Sequence, residues 1–516
     1  MKLDLIDSEG DEMKKISIFA IVVLLLTFLA PIASCQSTNE SVAERLNKLV
    51  EKDKGSLINS TQELVMIKSV NDEPKTGAPF GEGPAQALDK ALEIARGLGF
   101  NTTNLDGYIG YAEYGQGTDY VGVLAHVDVV AEGNGWKYPP YGAEIHDGKM
   151  YGRGTIDDKG PAMAAIYALK AVRDSNLTLT KRVRVIFGSD EETGTADVEH
   201  YLEREEPPIS GFTPDANFPA IYAEKGIITF DLANDLAIKS SDIKIKRISL
   251  KKDLTAVQGG IAYNIVPDEA SAEIITSNPA QILAACRSFA NETGYNLTAE
   301  VNNGTVFVNS VGLAAHGSEP YKGKNAVMQL FAFLGTLHFL SSSDMKDAIA
   351  FINAKIGMET DGKSFGLAME DEPSGNLTLN VGMTNSTEER IVLGLNIRYP
   401  VTHTSEEVMG IINNTIEGTG FRVENMQQDL KPLYYPIDSP LIVTLTQVYN
   451  NQTGRNDTPI AIGGGTYAKD MPNIVASGPI MPGQEEVEHQ PNEYIAIDQL
   501  VNITKIYAQD IYELAR

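Results

Sequence analysis

Three short stretches of this chain gather residues that bind cations or move protons. LAHVDVV (124–130) sets His126 two residues from Asp128 in an otherwise apolar run, YGRGTIDDKGP (151–161) sets Asp157 beside Asp158 after a glycine turn, and SDEETG (189–194) sets Glu191 beside Glu192. On a strand, residues two apart point to the same face, so His126 and Asp128 share one. Each stretch alone has an ordinary reading: a core histidine satisfied by an aspartate, a capped helix start, a solvated turn. Together they concentrate negative charge around an imidazole, and that concentration needs a cation to be tolerable. Imidazole with carboxylates suits zinc, with manganese or cobalt as alternatives. A shared carboxylate allows two ions roughly 3.5–4 Å apart, as in two-metal hydrolases. A second histidine is then expected, and His489 in PGQEEVEHQPNEY is the best placed, in a loop marked by glycine and proline. His146, His200, His338 and His403 sit in polar or helical contexts without an acidic constellation. His316, in VGLAAHGSEPYKGKNA, stands out for its glycine-rich setting.

These residues need a scaffold that brings strand ends together. The pattern predicts two helices over 39–67 interrupted at Gly55, a third over 83–98, and a fully covered strand over 119–130. A helix follows from Pro161, then a strand over 182–189 and another helix. Strand, helix, strand, helix implies a parallel sheet, whose chemistry gathers beyond the carboxyl ends of its strands. Glu191 and Glu192 then lie at such an end. Near Gly226 the style changes to half-exposed strands and a long helix in NAVMQLFAFLGTLHFL, which reads as a second, α+β domain; after about Asp429 short apolar strands and a last helix resume. The expected organisation is a signal segment over 1–38, a mostly parallel α/β catalytic domain from 39–226 and 430–516, and an inserted α+β lid over 227–429.

At 516 residues the chain exceeds one ordinary core, which fits two domains. Its 69 Asp plus Glu against 42 Lys plus Arg repel phosphate backbones and anionic lipid, which argues against nucleic acid as a partner. Only Cys35 and Cys286 occur, too few for a disulfide framework. The segment 13–35, MKKISIFAIVVLLLTFLAPIASC, is built like a secretory signal with Met13 as its natural start. Its Ile-Ala-Ser-Cys ending resembles a lipobox, with Cys35 lipidated; the alternatives are an ordinary cleaved signal or an uncleaved anchor. Many Asn-x-Ser/Thr sequons, among them Asn59, Asn176 and Asn413, fit an exported protein.

Eight motifs in order, LAHVDVV, YGRGTIDDKGP, SDEETG, FTPDANFPAIYAEKG, AAHGSEPYKGKNA, LNIRYP, GGGTYAK and GQEEVEHQPNEYI, resemble the metal-dependent aminoacylase, glutamate carboxypeptidase, desuccinylase and dipeptidase family. Within it, the chain resembles the bacterial dipeptidase V type. The resemblance implies a zinc-exopeptidase fold holding two divalent ions, with His126 and Asp215 on one, Glu192 and His489 on the other, and Asp157 bridging. It implies Glu191 as general base, Asp128 as the aspartate that orients a histidine ligand, and His316 as the lid residue that stabilises the oxyanion. Asn264 and Arg398 resemble substrate-holding positions. Asp158 stands where the family is more tolerant, and its place before the helix suggests a capping carboxylate. The implied activity is hydrolysis of unblocked dipeptides by a monomer. The rival readings are an N-acyl amino acid deacylase or desuccinylase with the same metals, and a tethered peptide-binding lipoprotein without turnover.

Overall fold

A computed structural model of the protein describes residues 40–236, 253–337 and 343–516. The signal segment with Cys35, and His338, lie outside them. The first helix, Val42–Val65, begins in an N-terminal unit that ends at Arg45, and residues 46–516 form a second unit that carries both large sheets. That helix runs straight through Gly55 where a break was expected. A side chain there would meet nothing within 4 Å, so the glycine sits on an open face. Its cost of about 1 kcal/mol relative to alanine is outweighed by the stripe Leu46, Val50, Leu57 and Leu64, which is buried at helical spacing.

The first sheet orders its strands Asn101–Leu105, Ile109–Tyr114, Arg182–Gly188, Tyr120–His126, Ser210–Thr213 and Ile474–Ala476. The last four are parallel, and Ile109–Tyr114 is antiparallel to both of its neighbours. Every residue of Tyr120–His126 is buried, as a continuous apolar run in a doubly covered sheet demands. Helices Lys159–Asp174 and Ile497–Ala515 pack on each other and on this strand. Leu124 joins Ile186, Val198, Tyr201, Tyr467 and Met471 in a separate apolar cluster. The strand ends at His126, four residues short of the sequence expectation, so Asp128 lies just beyond the ladder and not on it. His126 stands level with Gly188, the last residue of the neighbouring strand. The segments leading to Glu191 and Asp215 therefore leave the sheet from the same edge as His126.

The second sheet has eight strands, ordered Asn296–Asn302, Thr305–Val311, Glu269–Ile275, Asp253–Gly259, Thr378–Thr387, Arg390–Tyr399, Gly226–Asp235 and Phe421–Leu430, and all its pairings are antiparallel. Glu269–Ile275 alternates exposed and buried residues, the mark of a sheet covered on one face. Its inward residues join helices Pro279–Thr293, Ala326–Gly335 and Ser405–Ile416 in one large apolar cluster. The helix expected over NAVMQLFAFLGTLHFL is shorter, ending at Gly335 with Thr336 at its C-cap.

Candidate metal centre

His126 is fully buried, and its Nε2 lies 2.9 Å from Asp157 Oδ1 and 3.9 Å from Asp215 Oδ2. His489 Nε2 lies 3.0 Å from Asp157 Oδ2 and 3.0 Å from Glu192 Oε2. Two groups of ligand atoms result, His126–Asp157–Asp215 and Asp157–Glu192–His489, with the atoms of each within 4.8 Å of one another. Asp157 belongs to both. All five residues expected as ligands thus converge, from the ends of three strands, a turn before a helix, and a loop near the chain end. His489 is the exposed wall of the cluster, its side chain 52% accessible while that of Glu192 is 5%.

The electrostatics fit divalent cations. Burial opposes charge on Asp157, yet hydrogen bonds from His126 and His489 hold its carboxyl far below the usual range. Glu192 shares the bond from His489, which does not offset its burial. Burial, with Glu192, Asp157 and Asp128 around it and against the pull of His126, pushes Glu191 well above the usual range. Burial and Asp157 do the same to Asp215, and both raise Glu192. Burial lowers the His489 ring, but its bonds to Asp157 and Glu192 lift it to about 12. Among the described residues no Lys or Arg is ion-paired to these four carboxylates. A cluster so short of positive charge, offering imidazole nitrogens and carboxylate oxygens in two triads, suits borderline divalent ions.

The shell beyond the ligands is built from backbone donors. His126 Nδ1 is 3.1 Å from the Asp128 carbonyl and 3.3 Å from Asp128 Oδ1, and Asp128 Oδ1 and Oδ2 accept from the N–H groups of Glu191 (3.2 Å) and Glu192 (3.1 Å). One aspartate therefore fixes both the imidazole and the paired glutamates. Asp158, at the N-cap position of helix Lys159–Asp174, makes no cap hydrogen bond. It is fully buried, and its Oδ2 accepts from the His126 N–H at 3.2 Å. The capping expectation fails because the backbone of the neighbouring strand, and not the first helical turn, lies within reach.

Sequence reasoning missed Glu493. It is fully buried; Oε1 accepts from Gly154 N (2.9 Å) and Ile156 N (3.0 Å), and Oε2 takes the Arg153 guanidinium at 2.5 Å. Gly154 has φ of 89°, open to glycine, so the turn needs it in order to aim its N–H at Glu493. The only signal was the position of Glu493 four residues after His489. A second omission is Asp197, whose Oδ2 accepts from Tyr467 O–H and from Ser189 N (2.7 Å). The Tyr467 ring meets that of His126 edge-on, with centroids 6.3 Å apart.

The three residues expected from the lid also draw together. Gly317 N donates to the Asn264 carbonyl at 2.7 Å beside His316, whose Nδ1 is 2.6 Å from Ser318 Oγ. Burial, with the positive charges of Arg398 and His489, holds the His316 ring down at about 4. Arg398 is 5% accessible, donates from Nε to Asn396 Oδ1 (2.9 Å) and from Nη1 to the Gly463 carbonyl (3.0 Å), and has no carboxylate partner among the described residues. The remaining described histidines stay ordinary: His146 pairs with Glu144, His200 with Asp106 and His403 with Glu407.

Comparison with known proteins agrees with this geometry. A Bacillus subtilis (strain 168) protein named "Putative dipeptidase YtjP" is 43% identical over 474 residues, 90% of this chain and 99% of that one. "Putative dipeptidase SSP1012" of Staphylococcus saprophyticus is 37% identical over 455 residues, 87% of this chain and 95% of that one. Human carnosine dipeptidase 1 shares the fold, with a TM-score of 0.56 at 17% identity over 92% of this chain and 99% of that one. So does the di-peptidase Dug1p of Saccharomyces cerevisiae, with a TM-score of 0.55 at 13% identity over 92% of this chain and 99% of that one. The model of the peptidase family M20/M25/M40 matches residues 122–513, a span that begins just before His126 and ends after His489, and the chain belongs to that family.

Proposed function

We propose that the protein is a metal-dependent dipeptidase, and the observation that carries this reading is the sharing of Asp157 between two ligand triads. In this reading His126, Asp157 and Asp215 would hold one ion and Asp157, Glu192 and His489 the other, with zinc first and manganese or cobalt as substitutes. Bound there, the ions supply a Lewis acid for the scissile carbonyl and an acidified attacking water. Glu191, whose surroundings raise its proton affinity, takes a proton on its carboxylate and returns it to the departing amine nitrogen. Asp128 fixes the His126 ring and the backbone of Glu191 together. His316, a neutral ring near pH 7, donates a hydrogen bond to the developing oxyanion. Arg398, a buried guanidinium with no carboxylate partner among the described residues, takes the terminal carboxylate, and Asn264 helps hold the substrate.

The relatives named as dipeptidases support the substrate class. The segment 227–429 acts as a lid that encloses short substrates, and the protein works as a monomer. The ending of the apolar run at Cys35 supports an exported protein held to the membrane by lipid; no helix among the described residues is long and apolar enough to cross one.

The test is a panel of Ala-Ala, a tripeptide, a ten-residue peptide and an N-acetyl amino acid, each with added zinc or manganese. Turnover of Ala-Ala that disappears in Glu191→Gln while bound metal remains is the expected result. Hydrolysis of the N-acyl substrate alone, or of the ten-residue peptide at a comparable rate, would overturn it.

A further inference from the structure

A cavity of about 690 Å³ opens beside the carboxylate-binding end of the site, between the turn at 318–321, the turn at 358–361, the start of strand Thr378–Thr387 and the end of strand Ile460–Ile462 with Gly463. Two independent contacts tie it to Arg398. Gly463, whose carbonyl accepts from Arg398 Nη1 at 3.0 Å, is one of its walls. Thr378, also a wall, is the direct ladder partner of Arg398 across the antiparallel pair, so the two side chains rise from the same face as near neighbours. Ser318 in the wall opposite is the residue bonded to His316.

The lining has an unmet hydrogen-bonding group. Thr378 is only 7% accessible, and its Oγ1 has no hydrogen-bond partner among the described residues. A buried hydroxyl left without a partner is costly, so the wall offers it to an occupant. The charge of the lining is also one-sided. Glu319, Glu359 and Asp361 line it; Glu319 is ion-paired to Lys322, which leaves Glu359 and Asp361 against the one cation among the described lining residues, Lys225, whose Nζ is committed to the Asn376 carbonyl. Met358, Leu377 and Ile462 add an apolar strip of the kind that a lysine or arginine stem covers while its head stays polar.

We propose that this cavity is the subsite for the side chain of the substrate residue whose carboxylate Arg398 takes, and that it selects cationic side chains over apolar and acidic ones. The proposal rests on the dipeptidase reading: a residue anchored by its carboxylate at Arg398 has its Cβ at the mouth formed by Thr378 and Gly463. Opposite charge in the wall then favours lysine or arginine there, and like charge disfavours glutamate.

The experiment compares kcat/KM for Ala-Ala, Ala-Lys, Ala-Arg, Ala-Leu and Ala-Glu on the metal-loaded protein and on Glu359→Gln, Glu359→Lys and Thr378→Val. Ala-Lys and Ala-Arg are expected to exceed Ala-Leu roughly tenfold, with the ratio falling about fivefold in Glu359→Gln. Glu359→Lys should gain turnover of Ala-Glu, an outcome that misfolding cannot produce. Thr378→Val should raise KM for Ala-Lys more than it lowers kcat. Failure to cleave any dipeptide sinks the dipeptidase reading and the subsite with it. Cleavage of Ala-Ala with a preference for Ala-Leu, or charge variants that move all substrates alike, sinks the subsite alone.

Discussion

The carboxylate of Asp158 accepts the backbone N–H of His126 at 3.2 Å, so the second aspartate of the pair anchors the strand end that presents the first histidine. Asp158→Ala strips a buried donor of its acceptor, which costs roughly 1–3 kcal/mol. Asp158→Asn keeps an amide oxygen in the same place and should retain most of that stability and its bound metal. Urea denaturation of the chelated protein, with metal analysis of the loaded form, checks both. Equal stability of the alanine variant and the parent would show that the bond carries nothing.

Asp157 has the other role. Its two oxygens face two histidines, Oδ1 toward His126 at 2.9 Å and Oδ2 toward His489 at 3.0 Å. Asp157→Asn removes the one anion common to both triads, and an amide is a weaker ligand for either ion. Metal content after dialysis should fall, and turnover should drop by more than the roughly 10–100-fold typical of losing an outer partner of a ligand. A variant that keeps two ions and most of its activity would refute the shared-ligand assignment.

The five expected ligands were legible because each sits in a short motif whose residue types have few other uses together. Their convergence follows from a sheet whose strands end level, as His126 and Gly188 do. What stayed hidden depended on tertiary reach. Glu493 is one more acid in a polar loop, and nothing local says that it turns inward onto three residues of the Arg153–Ile156 turn. Asp158 looks like a helix cap from its neighbours, but the strand beside it offers the nearer N–H. Gly55 reads as a break because propensity is local, whereas the buried stripe on either side of it is not.

Glu493 leads to a third expectation. It clamps Gly154 N, Ile156 N and the Arg153 guanidinium with one buried carboxylate. Glu493→Gln leaves Arg153 as a buried cation without its anion, a loss on the order of 3–5 kcal/mol. Because the clamped turn leads directly into Asp157, metal affinity should weaken along with stability. Chemical denaturation and a metal titration of the same preparations test this; unchanged stability with unchanged affinity would refute the clamp.

The last expectation concerns pH and lies away from the metal ligands. Glu224 is fully buried, accepts from Thr466 N (3.1 Å) and Oγ1 (2.9 Å), and neighbours the cationic Lys469. Burial pushes Glu224 up from 4.5 to about 7 against the pull of Lys469 and Thr466, and burial pushes Lys469 down from 10.5 to about 8 against the pull of Glu224. The two signs differ. A carboxyl that binds its proton more tightly when folded contributes stability that is fully present below pH 4.5 and lost as pH rises through about 7. An amine that binds its proton less tightly when folded contributes stability present above pH 10.5 and lost as pH falls through about 8. The pair therefore helps the fold least between pH 7 and 8. Urea denaturation of chelated parent and Glu224→Gln isolates the first half, since the site carboxylates and histidines titrate alike in both. The stability of the parent relative to the variant should fall by at most about 3 kcal/mol between pH 4.5 and 7. A difference that stays flat across that window would mean that Glu224 keeps its charge when folded, with Lys469 neutralising it in place.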